Sequence, residues 1–389
     1  MPTLLTNGPI LIDGVFHDDF AVAIDGARIA AAGPKADIRE TFPHAEVRDL
    51  NGGRLVPGYI DTQVNGGGGV LFNDAPTVET IARIGAAHRR FGTTGFLPTL
   101  ISDDLSVIDR AIDAVEQAMA EGVPGVLGIH IEGPFLNIAR KGIHDPAKFR
   151  VLDDEAVRLL TRMKTGRTLI TLAPEMTTPD RIAALVEGGA VVAAGHTDAD
   201  YATIRAALDA GLTGFTHLFN AMSPLTSREP GVVGAALDDT TAWAGIIVDG
   251  HHVDPVVLKL ALRCRPADRF MLVTDAMPSV NAPHLGDGDE HFYLQGRRIS
   301  VKDGACLDER GVLAGSDLDM AAAVRNTRDL LGLDLPTAVM MASAAPAAFL
   351  GLERQRGRIA PGYAADLLVL DDDLAVVESW IDGVPAHTP

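Results

Sequence analysis

The chain has 389 residues, 47% of them hydrophobic and 22% charged, a composition that supports a large folded core and excludes a disordered or fibrous protein. A formal net charge of −19 argues against nucleic acid and anionic membrane surfaces as partners, because the general field repels both. The same field repels a small anionic substrate, so such a substrate requires a local cluster of Arg, Lys or His.

Cys264 and Cys306 are the two cysteines, without the short spacing of a redox or zinc motif, which predicts a reducing cytoplasm and no disulfide. The opening "MPTLLTNGPILIDGVFHDDF" lacks a basic leader region and carries Asp13, Asp18 and Asp19 where a signal peptide needs apolar residues. No apolar run approaches the roughly 20 residues of a membrane span.

Residues 1–55 alternate short apolar runs with Asp-Gly and Asn-Gly turns, the texture of short strands. From 57 to 350, strand-like runs alternate with segments of helical periodicity. The runs are "GYIDTQV", "GFLPTL", "GVLGIHIEG", "TLITLAPE", "AVVAAGHT", "GFTHLFN", "WAGIIVDG" and "RFMLVTDA", and helices are predicted over 77–91, 103–121, 153–164, 178–187, 199–210, 254–263, 317–331 and 336–350. This α/β pattern closes most simply into a (β/α)8 TIM-type barrel over 57–356, with an open doubly wound sheet as the alternative. A hairpin-like stretch at 283–315 predicts a β insertion near the barrel mouth. From residue 357 the strand texture of the N-terminus returns, so 1–56 and 357–389 are expected to pair into one small β domain.

Active sites of such barrels gather at the C-terminal ends of the strands. Five runs end in polar residues there: Glu132 in "HIEGP", His196 in "AAGHTD", His217 in "FTHLFN", His252 in "DGHHVD" and Asp275 in "LVTDAM". Taken singly, each has an ordinary structural reading, as a capping or core histidine, a salt-bridge carboxylate or a helix N-cap. Taken together, two imidazoles and a carboxylate with a free carboxylate nearby form a known composition for catalytic zinc. His130 lies on the same strand face as Glu132 and is equally readable as packing or function. His88, beside Arg89 and Arg90, reads as surface, and His251 is expected to point away from His252. The glycine run 66–69 lacks a following Lys-Ser/Thr, so it reads as a tight loop of the site and not a phosphate cradle. At the tip of the first run, where many metal-dependent hydrolases carry two histidines, stand Gln63 and Asn65, whose amides are poor ligands for a transition metal.

Together "PGYIDTQVNGGGGVLFND", "HIEGPFLN", "KGIHDP", "AGHTDA", "THLFNAMSPLTSREPG", "VDGHHVD", "LVTDAM" and "LAGSDLDM", in that order over nearly the whole chain, resemble the N-acetylglucosamine-6-phosphate deacetylases of the amidohydrolase superfamily. The resemblance implies a TIM-type barrel with a small β-sandwich made from both chain ends, a homodimer, and a hydrolase of a linear amide C–N bond in amino-sugar metabolism that removes acetate from the sugar phosphate by a metal-activated water. It implies Glu132, His196 and His217 as ligands of one divalent metal per chain, zinc by preference with iron or another divalent ion as alternatives. Asp275 becomes the catalytic base and acid, and His144 the residue at the acetyl carbonyl. Arg228 and His252 become phosphate contacts and Asn220 and Ala221 a ligand-holding loop, while Gln63 and Asn65, not needed as ligands of a single metal, are left to hydrogen-bond water or substrate. The other readings are a deacetylase of N-acetylgalactosamine 6-phosphate or another N-acyl amine, and a non-catalytic binding protein of the same fold, against which the presence of all four residues of the metal and acid/base set argues.

Overall fold

The computed structural model describes residues 1–282 and 291–387. All eight apolar runs are strands of one parallel sheet in sequence order: Tyr59–Val64, Thr93–Ile101, Gly128–Glu132, Arg167–Leu172, Val191–Ala194, Gly214–Phe215, Trp243–Ile246 and Phe270–Leu272. The chain returns to the first strand at the top of the barrel. Val64 and Ala276 form a parallel bridge, Asp275 N donates to Gln63 O at 3.0 Å, and Asn65 N donates to Ala276 O at 2.9 Å. The sheet is therefore a TIM-type barrel, and its closing seam runs beside Gln63, Asn65 and Asp275.

Strand periodicity decides which side chains reach the barrel interior. In Gly128–Glu132, Ile129 and Ile131 join the large apolar core under the helices, while His130 and Glu132 take the opposite face. The helix Leu105–Ala120 buries Ile108, Ala111, Ile112, Val115 and Ala118, spaced by three and four residues as an amphipathic helix requires, and it ends just before Gly122 at φ +75°. The helix Gly231–Asp238 was not foreseen because Gly231 to Ala236 are all buried, leaving no polar face to reveal a period. The single helix expected over 336–350 is two, Leu335–Ala342 and Ala344–Phe349. Pro346 has no N–H for the carbonyl of Ala342, so the helix restarts with the proline inside a first turn.

The two chain ends interleave. A six-stranded sheet runs in the order Val384–His387, Val376–Ile381, Leu367–Leu370, Arg54–Pro57, Ile10–Ile12, Val15–His17, with Leu368 opposite Val56. A four-stranded sheet of Arg28–Pro34, Phe20–Asp25, Thr3–Thr6 and Glu46–Asp49 comes from residues before the barrel. Leu5, Val22, Leu55, Leu367 and Trp380 belong to one buried cluster that draws on both sheets.

The expected insertion is a four-stranded antiparallel sheet, His291–Leu294, Arg297–Lys302, Ala305–Asp308 and Leu313–Ser316; residues 283–290 of that expectation, and 388–389 of the C-terminal one, lie outside the described residues. Its last strand is fastened to the end of the eighth barrel strand: Ser316 N donates to Asp275 O and Met277 N to Ser316 O, both at 2.9 Å. Cys264 is exposed and Cys306 buried, and both are free thiols. Among the described residues, no helix is long and apolar enough to cross a membrane.

Candidate metal centre and active site

Three donor atoms meet above the barrel. Glu132 Oε1 lies 3.1 Å from His196 Nε2 and 3.0 Å from His217 Nε2, and the two imidazole nitrogens are 3.2 Å apart. Ligand atoms about 2.0–2.1 Å from a tetrahedral ion stand roughly 3.3 Å from each other, so this triangle has the size of one face of a zinc tetrahedron. The tautomer fits as well. His196 Nδ1 faces the carbonyl oxygen of Arg140 at 2.9 Å and donates its proton there, leaving the Nε2 lone pair aimed at the other donors. Two imidazole lone pairs turned on one carboxylate oxygen repel unless a cation or a proton stands among them. Among the described residues this is the group of His, Cys, Asp and Glu side chains with metal-holding geometry.

All three side chains are buried. Burial by itself would raise the Glu132 carboxyl, but when protons and not a cation stand among the three donors, hydrogen bonds from His196 and His217 and their charges hold it well below the usual carboxylate range. His217 moves the other way: against the downward pull of burial, the Glu132 carboxylate raises it. His196, His217 and Asp275 have φ of +49°, +31° and +53°. Left-handed backbone costs a non-glycine residue about 1–2 kcal/mol, so the surrounding hydrogen bonds must hold these strand ends in place.

Asp275 is enclosed on one side by the first strand. Its Oδ1 accepts from Asn65 Nδ2 at 2.6 Å and from Gln63 Nε2 at 3.0 Å, and the same Gln63 nitrogen lies 3.2 Å from Glu132 Oε2. Burial and then the charge of Glu132 push the Asp275 carboxyl up to about 6. Beneath it, buried Asp61 accepts from Thr274 Oγ1 at 2.5 Å and from Gln63 N at 3.1 Å, which ties the first strand to the eighth.

A cavity of about 310 Å³ opens onto this group, with Asn65, Glu132, His144, His196, His217, Asn220, Ala221, His252 and Asp275 in its wall and Val312, Leu313 and Gly315 of the insertion over it. Burial, and then the charge of His196, hold His144 well below its ordinary value, so it is neutral. Ser102 N donates to His144 Nδ1 at 3.4 Å, with Ser102 Oγ 2.8 Å away. An accepting Nδ1 leaves the proton on Nε2, which makes His144 a neutral donor. His252 Nδ1 is 2.6 Å from Asp249 Oδ2, a partner three residues earlier that the sequence reading did not pick out. Asn220 Nδ2 donates to the backbone oxygen of His217 at 3.1 Å, and Ala221 sits at φ +51°.

Two candidates are not part of the cavity wall. Gln63 is 2% exposed and is not part of the cavity wall, its amide being engaged by the two carboxylates. Arg228 is exposed, in a turn closed by Thr226 and Glu229, away from the cavity wall and without an ion pair among the described residues.

His88 is a correction, since it is fully buried and not a surface residue. Its Nε2 donates to Gly66 O at 2.8 Å, and burial pushes its pKa down to about 4. Ile81, Ile84 and His88 share the buried face of the helix Val78–Arg89, so the spacing that marked the isoleucines also marked the histidine. A Cβ on Gly67 would come within 2.8 Å of that nitrogen, which accounts for part of the glycine run: Gly66–Gly67 pair with Val70–Leu71 in a hairpin packed on this helix. His130 spans the barrel interior between Thr99 Oγ1 at 3.2 Å and Thr171 Oγ1 at 2.8 Å, and burial brings it to about 4. His251 is exposed.

The model of the amidohydrolase family matches residues 54–387. The chain belongs to the amidohydrolase family. Within that family it is 48% identical over 386 residues to N-acetylgalactosamine-6-phosphate deacetylase of Shewanella sp. (strain ANA-3), covering 94% of this chain and 96% of the relative. It is 34% identical over 366 residues to N-acetylglucosamine-6-phosphate deacetylase of Haemophilus influenzae, with 94% of each chain covered. The crystal structure of N-acetylglucosamine-6-phosphate deacetylase from Pasteurella multocida superposes with a TM-score of 0.94 at 33% identity over 100% of both chains. As an amidohydrolase, this chain carries its candidate site where barrels of that architecture place theirs, at the C-terminal ends of the strands.

Proposed function

We propose that this amidohydrolase removes acetate from N-acetylglucosamine 6-phosphate, leaving glucosamine 6-phosphate. The observation that carries the reading is the meeting of Glu132, His196 and His217 with Asp275 on one cavity. The relatives' names support the substrate class. Glu132, His196 and His217 hold one divalent ion per chain, zinc by the composition of the set, with iron or another divalent ion as alternatives. Bound there, the ion supplies Lewis acidity, which brings the pKa of water toward about 7 and polarises a carbonyl oxygen.

The chain's own groups do the rest. Asp275 takes the proton of the attacking water and returns it to the amine nitrogen as the C–N bond breaks. Its Oδ1 is held by two amides, so Oδ2 is the oxygen that transfers the proton. His144 donates its Nε2–H to the acetyl oxygen as negative charge develops there. His252, Asn220 and Ala221 orient the sugar phosphate, and Arg228 reaches the phosphate from outside the wall. Homodimer formation is part of this reading. A cytoplasmic location is supported by the two free thiols. We read residues 57–356 as the catalytic unit and the interleaved ends, 1–56 and 357–389, as a supporting one.

A second reading, N-acetylgalactosamine 6-phosphate as the preferred epimer, is favoured by the name of the 48% identical relative. Acetate release from both epimers, with and without chelator, tests both readings. Release from neither epimer by the metal-loaded protein would sink the proposal, and the ratio of the two kcat/KM values chooses the sugar.

A further inference from the structure

Glu175 follows the fourth barrel strand, in the short turn Pro174–Met176, and the chemistry above makes no use of it. Its carboxylate accepts three hydrogen bonds from two other loops. Oε1 accepts from Asn137 Nδ2 at 2.9 Å and from Asp198 N at 2.7 Å, and Oε2 accepts from Thr197 Oγ1 at 2.5 Å. Asn137 stands in the loop that leaves the Glu132 strand, and Thr197 and Asp198 are the two residues after His196. The backbone closes the same joint: Asn137 N donates to His196 O at 3.0 Å, and Thr197 N to Ala221 O at 3.1 Å in the loop after His217.

Among the described residues no Lys or Arg pairs with Glu175, so its charge is answered by uncharged donors alone. Ionised carboxylates make stronger hydrogen bonds than neutral acceptors, and this one spends all three on the neighbours of the metal-ligand loops. His196 itself lies in left-handed backbone, a conformation that relaxes unless the chain on either side is fixed.

We propose that Glu175 is a positioning residue for the metal centre: by gripping Asn137 on one side and Thr197 with Asp198 on the other, it holds His196 Nε2 at Glu132 and His217. The inference rests on the metal-site reading proposed above. A residue that merely stabilised the fold would lower the stability of the metal-free protein and leave the intrinsic metal affinity alone. A positioning residue does the reverse, because the ligand set is dispersed in the absence of the grip; loss of a group bonded directly to a metal ligand typically costs about 10- to 100-fold in metal affinity, which sets the scale for Glu175, whose grip is on the residues flanking the ligands.

The test uses zinc affinity by chelator competition, the visible spectrum of the cobalt-substituted protein, and the Tm of the metal-free protein. Glu175→Gln is expected to weaken zinc binding about 10- to 100-fold, alter the cobalt spectrum and leave the metal-free Tm near that of the parent. Thr197→Val should weaken binding in the same way and Thr197→Ser, which keeps the hydroxyl, should restore it; this pair decides the matter if Glu175→Gln fails to fold. Parental zinc affinity and cobalt spectrum in Glu175→Gln or Thr197→Val would overturn the role of Glu175 while leaving the metal site intact. A parent protein that binds no zinc would instead overturn the metal-site reading itself.

Discussion

Asn65 Nδ2 stands 2.6 Å from Oδ1 of Asp275, the oxygen that Gln63 Nε2 also reaches at 3.0 Å. Positions that could have offered imidazoles to a metal thus offer N–H groups to a carboxylate. Two donors on one oxygen favour the ionised acid and fix its orientation. Asp275→Asn removes the proton acceptor without touching Glu132, His196 or His217. We expect its metal content to match the parent and its kcat to fall by about 10² to 10⁴. Near-parental turnover would place the base elsewhere.

The same contact sets a pH dependence. A base must be ionised, so kcat/KM should fall as pH drops through the pKa of Asp275, which burial and the Glu132 charge push up to about 6. A divalent ion on Glu132 offsets that charge and moves the limb to lower pH. Asn65→Ala removes a hydrogen bond that lowers this pKa, so its acid limb should shift to higher pH. An unchanged limb in the kcat/KM profile would show that the pair does not control the ionisation.

Of the two proposed phosphate contacts, His252 shares the cavity wall with Asp275, whereas Arg228 stands outside it. Arg228→Ala should raise KM for the phosphorylated sugar far more than for unphosphorylated N-acetylglucosamine, since a charge-assisted hydrogen bond contributes roughly 1.5–3 kcal/mol. Equal loss on both substrates would make Arg228 structural. Because the residue lies outside the cavity wall, mixing inactive Asp275→Asn with Arg228→Ala also reports how it acts. If the proposed homodimer forms, recovery of activity on mixing means that the guanidinium serves the other subunit's site, and no recovery means that it serves its own.

Away from the site, Asp239 predicts acid sensitivity. Its Oδ1 accepts from Thr241 N, Thr241 Oγ1 and Ala242 N at 2.8–2.9 Å, and Oδ2 from Arg205 at 2.8 Å. Burial opposes ionisation, but the backbone donors outweigh it and the pKa falls to about 2. A depressed carboxyl stabilises the fold at pH values above its unfolded pKa, about 3.9, and that contribution is lost as pH falls toward 2. Its size is on the order of 2 kcal/mol. Asp239→Asn should therefore lower stability at pH 7 by about that amount and show less further loss between pH 4 and 2. Parallel parent and variant curves in urea titrations across that range would refute it.

The barrel was legible because its strands are continuous apolar runs and most of its helices are one-sided, and both periods survive in a single sequence. The helix Gly231–Asp238 escaped because burial on every side erases the period. Strand ends revealed Glu132, His196, His217, His252 and Asp275, since a polar side chain closing an apolar run is conspicuous, whereas His144, Asn220 and Ala221 of the same cavity wall were indicated only by the resemblance. Supporting residues were harder to see: Glu175, Asp249 and Ser102 look like ordinary loop residues until folding brings Thr197, His252 and His144 against them. His88 stands four residues after Ile84 on the buried face of its helix, and that spacing outweighs the two charged arginines that follow it.

Metal stoichiometry puts the opening strand to the test. One tightly held divalent ion per chain is expected, because the converging donors come from Glu132, His196 and His217, whereas the nearby amides of Gln63 and Asn65 are turned as donors toward carboxylates. His217→Gln replaces an imidazole donor with a weak amide one and should lose metal and activity together. Gln63→Ala removes no ligand, so it should keep the ion while lowering kcat through a less constrained Asp275. Elemental analysis after dialysis measures all three proteins. Two tightly held ions in the parent, or full retention by His217→Gln, would contradict the assignment. The double change Gln63→His with Asn65→His supplies two imidazoles at the closing seam of the barrel, and uptake of a second ion there would show that these two amides are what limit the centre to one.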